Sequence, residues 1–284
     1  MKKIILINIL VFLCTSLFSQ KGNNALIAEY EDTLKIMAHA IMHEKTEDKK
    51  YIANLAFTET LLEVLKYEKS FRFPFDSLAT IARIAASDNS FRIFNWILKK
   101  DNGTYEYYAI VHYHDKKRNR YETISLKDNS INIRNPQSAD LDAKNWFGSL
   151  YYQIIHIKNK GRKFYTLLSW DGNDKYSTKK IIDIMYFSGK NKIKFGLPIF
   201  KYNRDIFKRI ILEYDSRSSI SVRYYDKEKR IVFDNLVPPR KELEGLEEYY
   251  IPEGTFNAFE YKKGKWYMSE DVDIRNNNKS KNDK

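Results

Sequence analysis

An α+β fold is what this 284-residue sequence predicts: a helical hairpin in front, and a large antiparallel β-meander behind it. Three observations carry that expectation. Up to about residue 86 apolar residues recur every three or four positions, the period of a one-faced helix. From Phe91 onward the apolar runs become short and rich in β-branched and aromatic residues. The connections between those runs are turns too short to hold a crossover helix, so neighbouring strands must run antiparallel.

The chain opens "MKKIILINILVFLCTSLFSQ", with Lys2 and Lys3 ahead of the apolar run Ile4 to Leu13. A positive front and a short apolar run are what export machinery binds, so residues 1–19 read as a signal peptide. The run is too short to span a bilayer, which takes roughly 20 residues. Cys14 is the sole cysteine, and Leu13 stands where a lipidated cysteine would need a small neighbour. Without Cys14 the mature chain has no disulfide, thiolate ligand or cysteine nucleophile. Its 284 − 19 = 265 residues must be held by their core.

Residues 20–86 form the helical region. Leu26, Ile27, Tyr30, Leu34, Met37 and Ile41 make one stripe between Ala25 and His43. Ile52, Leu55, Leu62 and Leu65 make a second, after the polar connection "EKTEDKK". In "SFRFPFDSL" Pro74 disfavours helix before it, and Asp76 or Ser77 is placed to cap a short helix through Ile84.

Residues 87–275 form the β-rich domain. Strands are expected near 91–98, 105–114, 121–127, 149–158, 163–170, 181–187, 192–197, 208–215, 219–226, 230–235, 256–262 and 265–270. "KDNGT", "KNKGRK", "SGKNK", "DSRSS", "DKEKR" and "KKGK" read as hairpin turns. A curved sheet, sandwich or irregular barrel fits this meander, with a propeller-like arrangement as the alternative. "SINIRNPQSADLDAKNW" reads as an excursion over the surface, and residues 276–284 as a disordered polar tail.

Four segments, "SDNSFRIFNWILKKDNGTYEYYAIV", "WFGSLYYQIIHIKNKGRKFYTLLSWDGND", "RIILEYDSRSSISVRYYDKEKRIVFDNLVP" and "GKWYMSEDVDIRN", resemble an uncharacterised family of secreted proteins of Bacteroidota-type bacteria. The resemblance implies export, to the periplasm or outside the cell. It carries no activity and assigns no functional residue.

The formal charge of +12 falls to +10 when Lys2 and Lys3 leave with the signal peptide. Such a charge favours an envelope protein, an anionic surface or an acidic glycan as partner, and export argues against nucleic acid. Lys158, Lys160, Arg162, Lys163, Lys190, Lys192, Lys227, Lys229, Arg230, Lys262, Lys263 and Lys265 cluster at turns. Alternate turns of a meander share one end, so Lys160, Arg162, Lys227, Lys229 and Lys263 are candidates for a basic binding rim. The plainer reading is that edge lysines keep strands from pairing with neighbours.

No cofactor is expected, and the plainer reading of His112 and His114 is that they end a strand at its rim before the charged turn; zinc is one candidate weighed against that reading. His112 and His114 are two apart on a strand and so share a face, with His156 on another strand as a possible third ligand. His39 and His43, four apart on a helix, form a second pair. Calcium is the other, through Asp171, Asn173 and Asp174 in "LLSWDGNDKYSTKK". There Lys175, Lys179 and Lys180 oppose a cation, and a turn is the better reading. No nucleophile elbow, phosphate loop or dinucleotide fingerprint occurs. Asp183 and Glu213 are candidates for paired carboxylates. The adjacent pairs Tyr107–Tyr108, Tyr151–Tyr152 and Tyr224–Tyr225 point to opposite strand faces, one ring inward and one free to line a groove for glycan or peptide. The expectation is an exported, non-catalytic binding or interaction protein of the cell envelope. A secreted hydrolase with a dispersed, metal-dependent site is the alternative.

Overall fold

The computed structural model describes residues 24–159 and 162–273. The leader at 1–19 with Cys14, the tail at 276–284 and Lys160 lie outside these residues. Within them two helices precede strands arranged in three open sheets, nearly all antiparallel. The barrel and propeller alternatives give way to that arrangement, because each sheet ends at two free edges. No helix among the described residues is long and apolar enough to cross a membrane. The chain divides into two compact units, and the change of period at 87 falls inside the first.

The first unit holds residues 24–129 and 143–150. Helix α1 spans 24–43 and α2 spans Glu47–Val64. The α1 stripe packs as its spacing requires, with Ile27, Leu34, Ala38 and Ile41 buried. Thr46 caps α2 by accepting from the Lys49 N–H at 3.5 Å, and Glu47 and Asp48 sit where the helix dipole favours negative charge. The buried face of α2 is only partly the expected one: Leu62 and Leu65 do pack on the core. Asn54, Phe57, Leu61 and Val64 pack inward, whereas Ile52 and Leu55 are 68% and 55% exposed. Aromatic packing sets the rotation. Phe57 meets Trp96 edge-on at 4.9 Å, and Asn54 accepts from the Trp96 indole N–H at 2.7 Å, so a polar residue lies in the apolar face.

Those helices cover a sheet of β1 (Ala82–Ala85), β2 (Phe91–Lys99), β3 (Tyr105–Asp115) and β4 (Arg120–Lys127), in that order. Phe94, Trp96 and Ile110 complete the core with Phe75, Leu78 and Ile81. Strand β1 replaces the end of the short helix expected from Asp76 or Ser77 to Ile84. Phe75 takes a left-handed φ of 55°, and the Ser77 N–H is held by the Glu31 carboxylate at 2.7 Å. The segment therefore turns, and residues 82–85 find hydrogen-bond partners along the free edge of β2.

The second unit holds residues 130–142 and 151–273. Its strands run β5 (Leu141–Asp142), β6 (Leu150–Asn159), β7 (Arg162–Asp171), β8 (Ser177–Ser188), β9 (Lys192–Phe195), β10 (Phe200–Tyr202), β11 (Asp205–Phe207) and β12 (Ile210–Asp215). They continue with β13 (Val222–Tyr225), β14 (Arg230–Val237), β15 (Ile251–Lys262) and β16 (Lys265–Ser269). One sheet is ordered β5-β9-β8-β7-β6 with β12 also against β8. The other is ordered β11-β10-β16-β15-β14-β13, and β10 pairs with β16 in parallel. Leu168, Ile182, Ile184 and Ile210 of the first sheet share a core with Phe200, Ile231, Phe233, Phe259 and Trp266 of the second. The unit is thus a two-sheet sandwich, tied across by the Trp266 indole N–H to Thr166 Oγ1 at 3.2 Å.

One connection departs from expectation, and the expected surface excursion is held by a buried side chain. "DSRSS" is no hairpin: it carries the chain from β12 in one sheet to β13 in the other, and Asp215 holds the bend by accepting from the backbone and guanidinium of Arg217. The excursion at 130–142 is pinned rather than loose. Arg209, wholly buried, donates from Nε to Asp183 at 2.8 Å and from Nη1 to the carbonyls of Pro136 and Ala139.

Candidate functional site

His112 and His114 both stand on the Tyr121 side of β3. Their rings lie 6.1 and 4.6 Å from that of Tyr121. His112 is completely buried, edge-on to Phe71 at 5.1 Å, and neither ring nitrogen has a hydrogen-bond partner. Burial, and then the nearby Arg92 guanidinium, push its pKa down to about 3. His114 Nε2 lies 3.3 Å from Asn119 Oδ1. His156 belongs to the second unit and stacks on Tyr165 at 5.1 Å. The His39 and His43 rings lie 4.3 Å apart, tilted by 37°, on the exposed side of α1. Among the described residues no group of three or more His, Cys, Asp or Glu is placed to hold a metal ion.

The loop after β7 uses its polar atoms locally. Asp171 Oδ1 accepts from the Asn173 N–H at 2.7 Å, and Asn173 adopts a left-handed φ of 47°. Asp174 Oδ1 accepts from the N–H groups of Tyr176 and Ser177 at 2.7 and 3.0 Å. These are the bonds by which aspartate builds a turn. The loop then reaches Glu213 on β12: the Ser177 hydroxyl donates to Glu213 Oε1, Asn173 Nδ2 does so at 3.3 Å, and Lys179 Nζ pairs with Oε2 at 3.4 Å. Asp183 and Glu213 do not meet. Glu213 lies opposite Lys179, four residues and about 13 Å along β8 from Asp183.

Of the expected basic rim, part comes together. The turns at 226–229 and 263–264 fall at one end of the β13–β16 sheet, where the Tyr261 N–H bonds the Lys229 carbonyl at 3.0 Å. Lys227 and Lys263 are exposed there. Lys229 is already paired to Asp226 at 3.0 Å, Lys262 to Glu260, and Arg230 lies 5.8 Å from the Tyr225 ring centroid. Of Arg162 only the backbone, which opens β7, is described.

The other end of the sandwich opens into a cleft of about 720 Å³ that sequence reasoning missed. Phe233, Leu212 and Met268 supply apolar wall, and six carboxylates line it: Glu213, Asp234, Glu247, Glu253, Glu270 and Asp271. Among the described residues no lysine or arginine does. Its polar groups form a connected set. Asn235 Nδ2 donates to Glu253 at 2.8 Å, Asn257 Nδ2 to Asn235 Oδ1 at 2.9 Å, and the Asp271 N–H to Asn257 Oδ1 at 3.2 Å. The Tyr202 hydroxyl donates to Glu270 at 2.8 Å. Glu247 keeps an exposed edge, yet crowding by neighbouring atoms, and then the like charges of Glu213 and Glu248, raise its pKa. The carboxylates do not converge in threes as metal ligands do, so the cleft suits an extended cation better than a single ion.

One signal for this cleft was present in the sequence. "KELEGLEEYYIPEG", between β14 and the body of β15, is an acidic run in a basic chain. Its partners Glu213 on β12, Asn257 farther along β15 and Glu270 after β16 are distant in sequence or on the body of the strand, and no local pattern joins them. No family model matches this chain, and neither a curated protein nor a solved structure does.

Proposed function

We propose that this chain is an exported, non-catalytic binding protein of the cell envelope, and that its cleft takes an extended cationic segment of a partner. The observation that carries the reading is the cleft between the two sheets, with six lining carboxylates, only Glu213 of them paired to a lysine, and no lining cation among the described residues, on a chain of net charge +12. Long-range repulsion does not forbid this. Charges farther than about 8 Å apart are largely screened at physiological ionic strength, so the nearby carboxylates decide the local field. The leader sequence and the resemblance to secreted proteins support export. A basic rim for an acidic glycan or surface is the weaker site, since several of its cations already have partners.

The test titrates tetralysine, and tetra-alanine as control, into the mature chain while tyrosine emission is followed. Binding of tetralysine alone, weakened at least about tenfold by Glu247→Gln with Glu253→Gln, is the expected result, since the loss of even one charge-assisted contact costs roughly 1.5 kcal/mol. Equal binding of both peptides, or no response to the double substitution, overturns the cleft. Export is tested separately, by fractionating the native host: an uncleaved cytosolic chain overturns it.

A further inference from the structure

A second concavity in the same sandwich has opposite chemistry. About 680 Å³ in volume, it is lined by Tyr152 of β6, Lys180 of β8, Ser219 and Ser221 before β13, Arg223 and Tyr225 of β13, and Asp234 of β14. Tyr152 fixes its wall by donating to the Val222 carbonyl at 3.1 Å, and Lys180 Nζ lies 4.8 Å from the centroid of the Tyr152 ring. Lys180 is half-buried, and no carboxylate among the described residues lies within ion-pair distance of it. Burial depresses its pKa, as expected for an ammonium that has lost water without gaining an anion. Arg223, a second cation of the same lining, is exposed. Asp234 faces the same space but accepts from the Ser221 N–H at 2.7 Å.

We propose that this groove binds an acidic sugar, with the sugar carboxylate on Lys180 and Arg223. Each part of the lining has a role in that assignment. A carboxylate restores the counter-charge that burial takes from Lys180. Two tyrosine rings flank a space large enough for a few sugar rings, and aromatic rims receive the apolar faces of such rings. The Gln153 amide and the Ser219 and Ser221 hydroxyls are there for sugar hydroxyls. Asp234 decides the charge of the ligand: a fixed negative group in the same lining repels a dianion such as phosphate more than a single carboxylate. This assignment stands without the acidic cleft, whose carboxylates other than Asp234 it does not use.

The experiment titrates trigalacturonate, its fully methyl-esterified form and inorganic phosphate into the mature chain, reading tyrosine emission and calorimetric heat. Trigalacturonate is expected to bind, and the neutral ester and phosphate to bind at least about tenfold more weakly, the loss of one charge-assisted contact. Lys180→Met, which keeps the stem against Tyr152, is expected to lower affinity by a similar factor, and Lys180→Arg to restore most of it. Equal affinity for acid and ester, tighter binding of phosphate, or an unchanged Lys180→Met chain overturns the proposal. If Lys180→Met fails to fold, NMR of the reductively methylated wild-type chain decides: the Lys180 amine pKa rises when trigalacturonate is added, and an unmoved pKa overturns the proposal.

Discussion

His112 is a residue whose chemistry departs far from its ordinary state. A strand histidine two positions from another looks like half of a metal site, but burial under Phe71 has removed both ring nitrogens from water and given them no partner. The neutral ring is therefore the folded form, and protonation opposes folding. With a folded pKa of about 3, below the unfolded value of roughly 6.5, the unfolded chain binds more protons between those limits. Stability is full above about pH 6.5 and declines as pH falls toward 3, by about 3 kcal/mol at pH 4 from this residue alone. His112→Leu should therefore keep stability at pH 7 to within about 1 kcal/mol, because no hydrogen bond is lost, and should flatten the acid limb. Urea midpoints from pH 7 to 4 check this. Equal acid sensitivity of both chains would show that His112 titrates normally.

Helix α2 shows where a pattern can be legible and still be misread. Its existence follows from spacing and from Thr46 ahead of Glu47 and Asp48, but apolar residues occur on more than one side: Ile52 and Leu55 on one, Phe57, Leu61 and Val64 on another. Only the sheet beneath chooses, through Trp96, which needs an acceptor that Asn54 provides. Leu61→Ala should cost about 2–5 kcal/mol, while Ile52→Ala and Leu55→Ala should each stay within about 0.5 kcal/mol. Chemical denaturation of the three variants distinguishes the faces; a loss at Ile52 as large as at Leu61 would mean the other stripe is packed. The strands were easier to read. Their runs from Phe91 to Ser269 follow β-branched and aromatic residues between turns, whereas Phe200–Tyr202 and Asp205–Phe207 are too short to leave a period. Pairing was the hidden part: "DSRSS" has hairpin composition, and only the side-by-side fit of β12 with β8 makes it a passage between sheets.

At the scale of the second unit, charge is separated along one sheet. Lys227, Lys229 and Lys263 lie by the turns at one end, and the acidic cleft lies toward the other, roughly 20 Å away from Arg230 to Leu236 along β14. The basic rim was legible from the lysines at the turns, although spacing did not name the carboxylates that pair Lys229 and Lys262; the cleft was not, because its carboxylates come from β12, β14, β15, the segment at 247 and the chain after β16. The separation makes a quantitative demand on binding. Each rim charge acts on a cationic ligand in the cleft with about 0.2 kcal/mol per unit charge at that distance in water. At physiological salt, with a screening length of about 8 Å, this falls to almost nothing, whereas at 0.01 M, where the length is about 30 Å, much of it survives. Replacing Lys227, Lys229 and Lys263 together by Gln should therefore leave tetralysine affinity unchanged at physiological salt and strengthen it several-fold at 0.01 M, since a tetravalent ligand multiplies the per-charge effect. Calorimetric titration at the two salt concentrations checks this. A large gain at high salt would place the cationic ligand beside the turns rather than in the cleft.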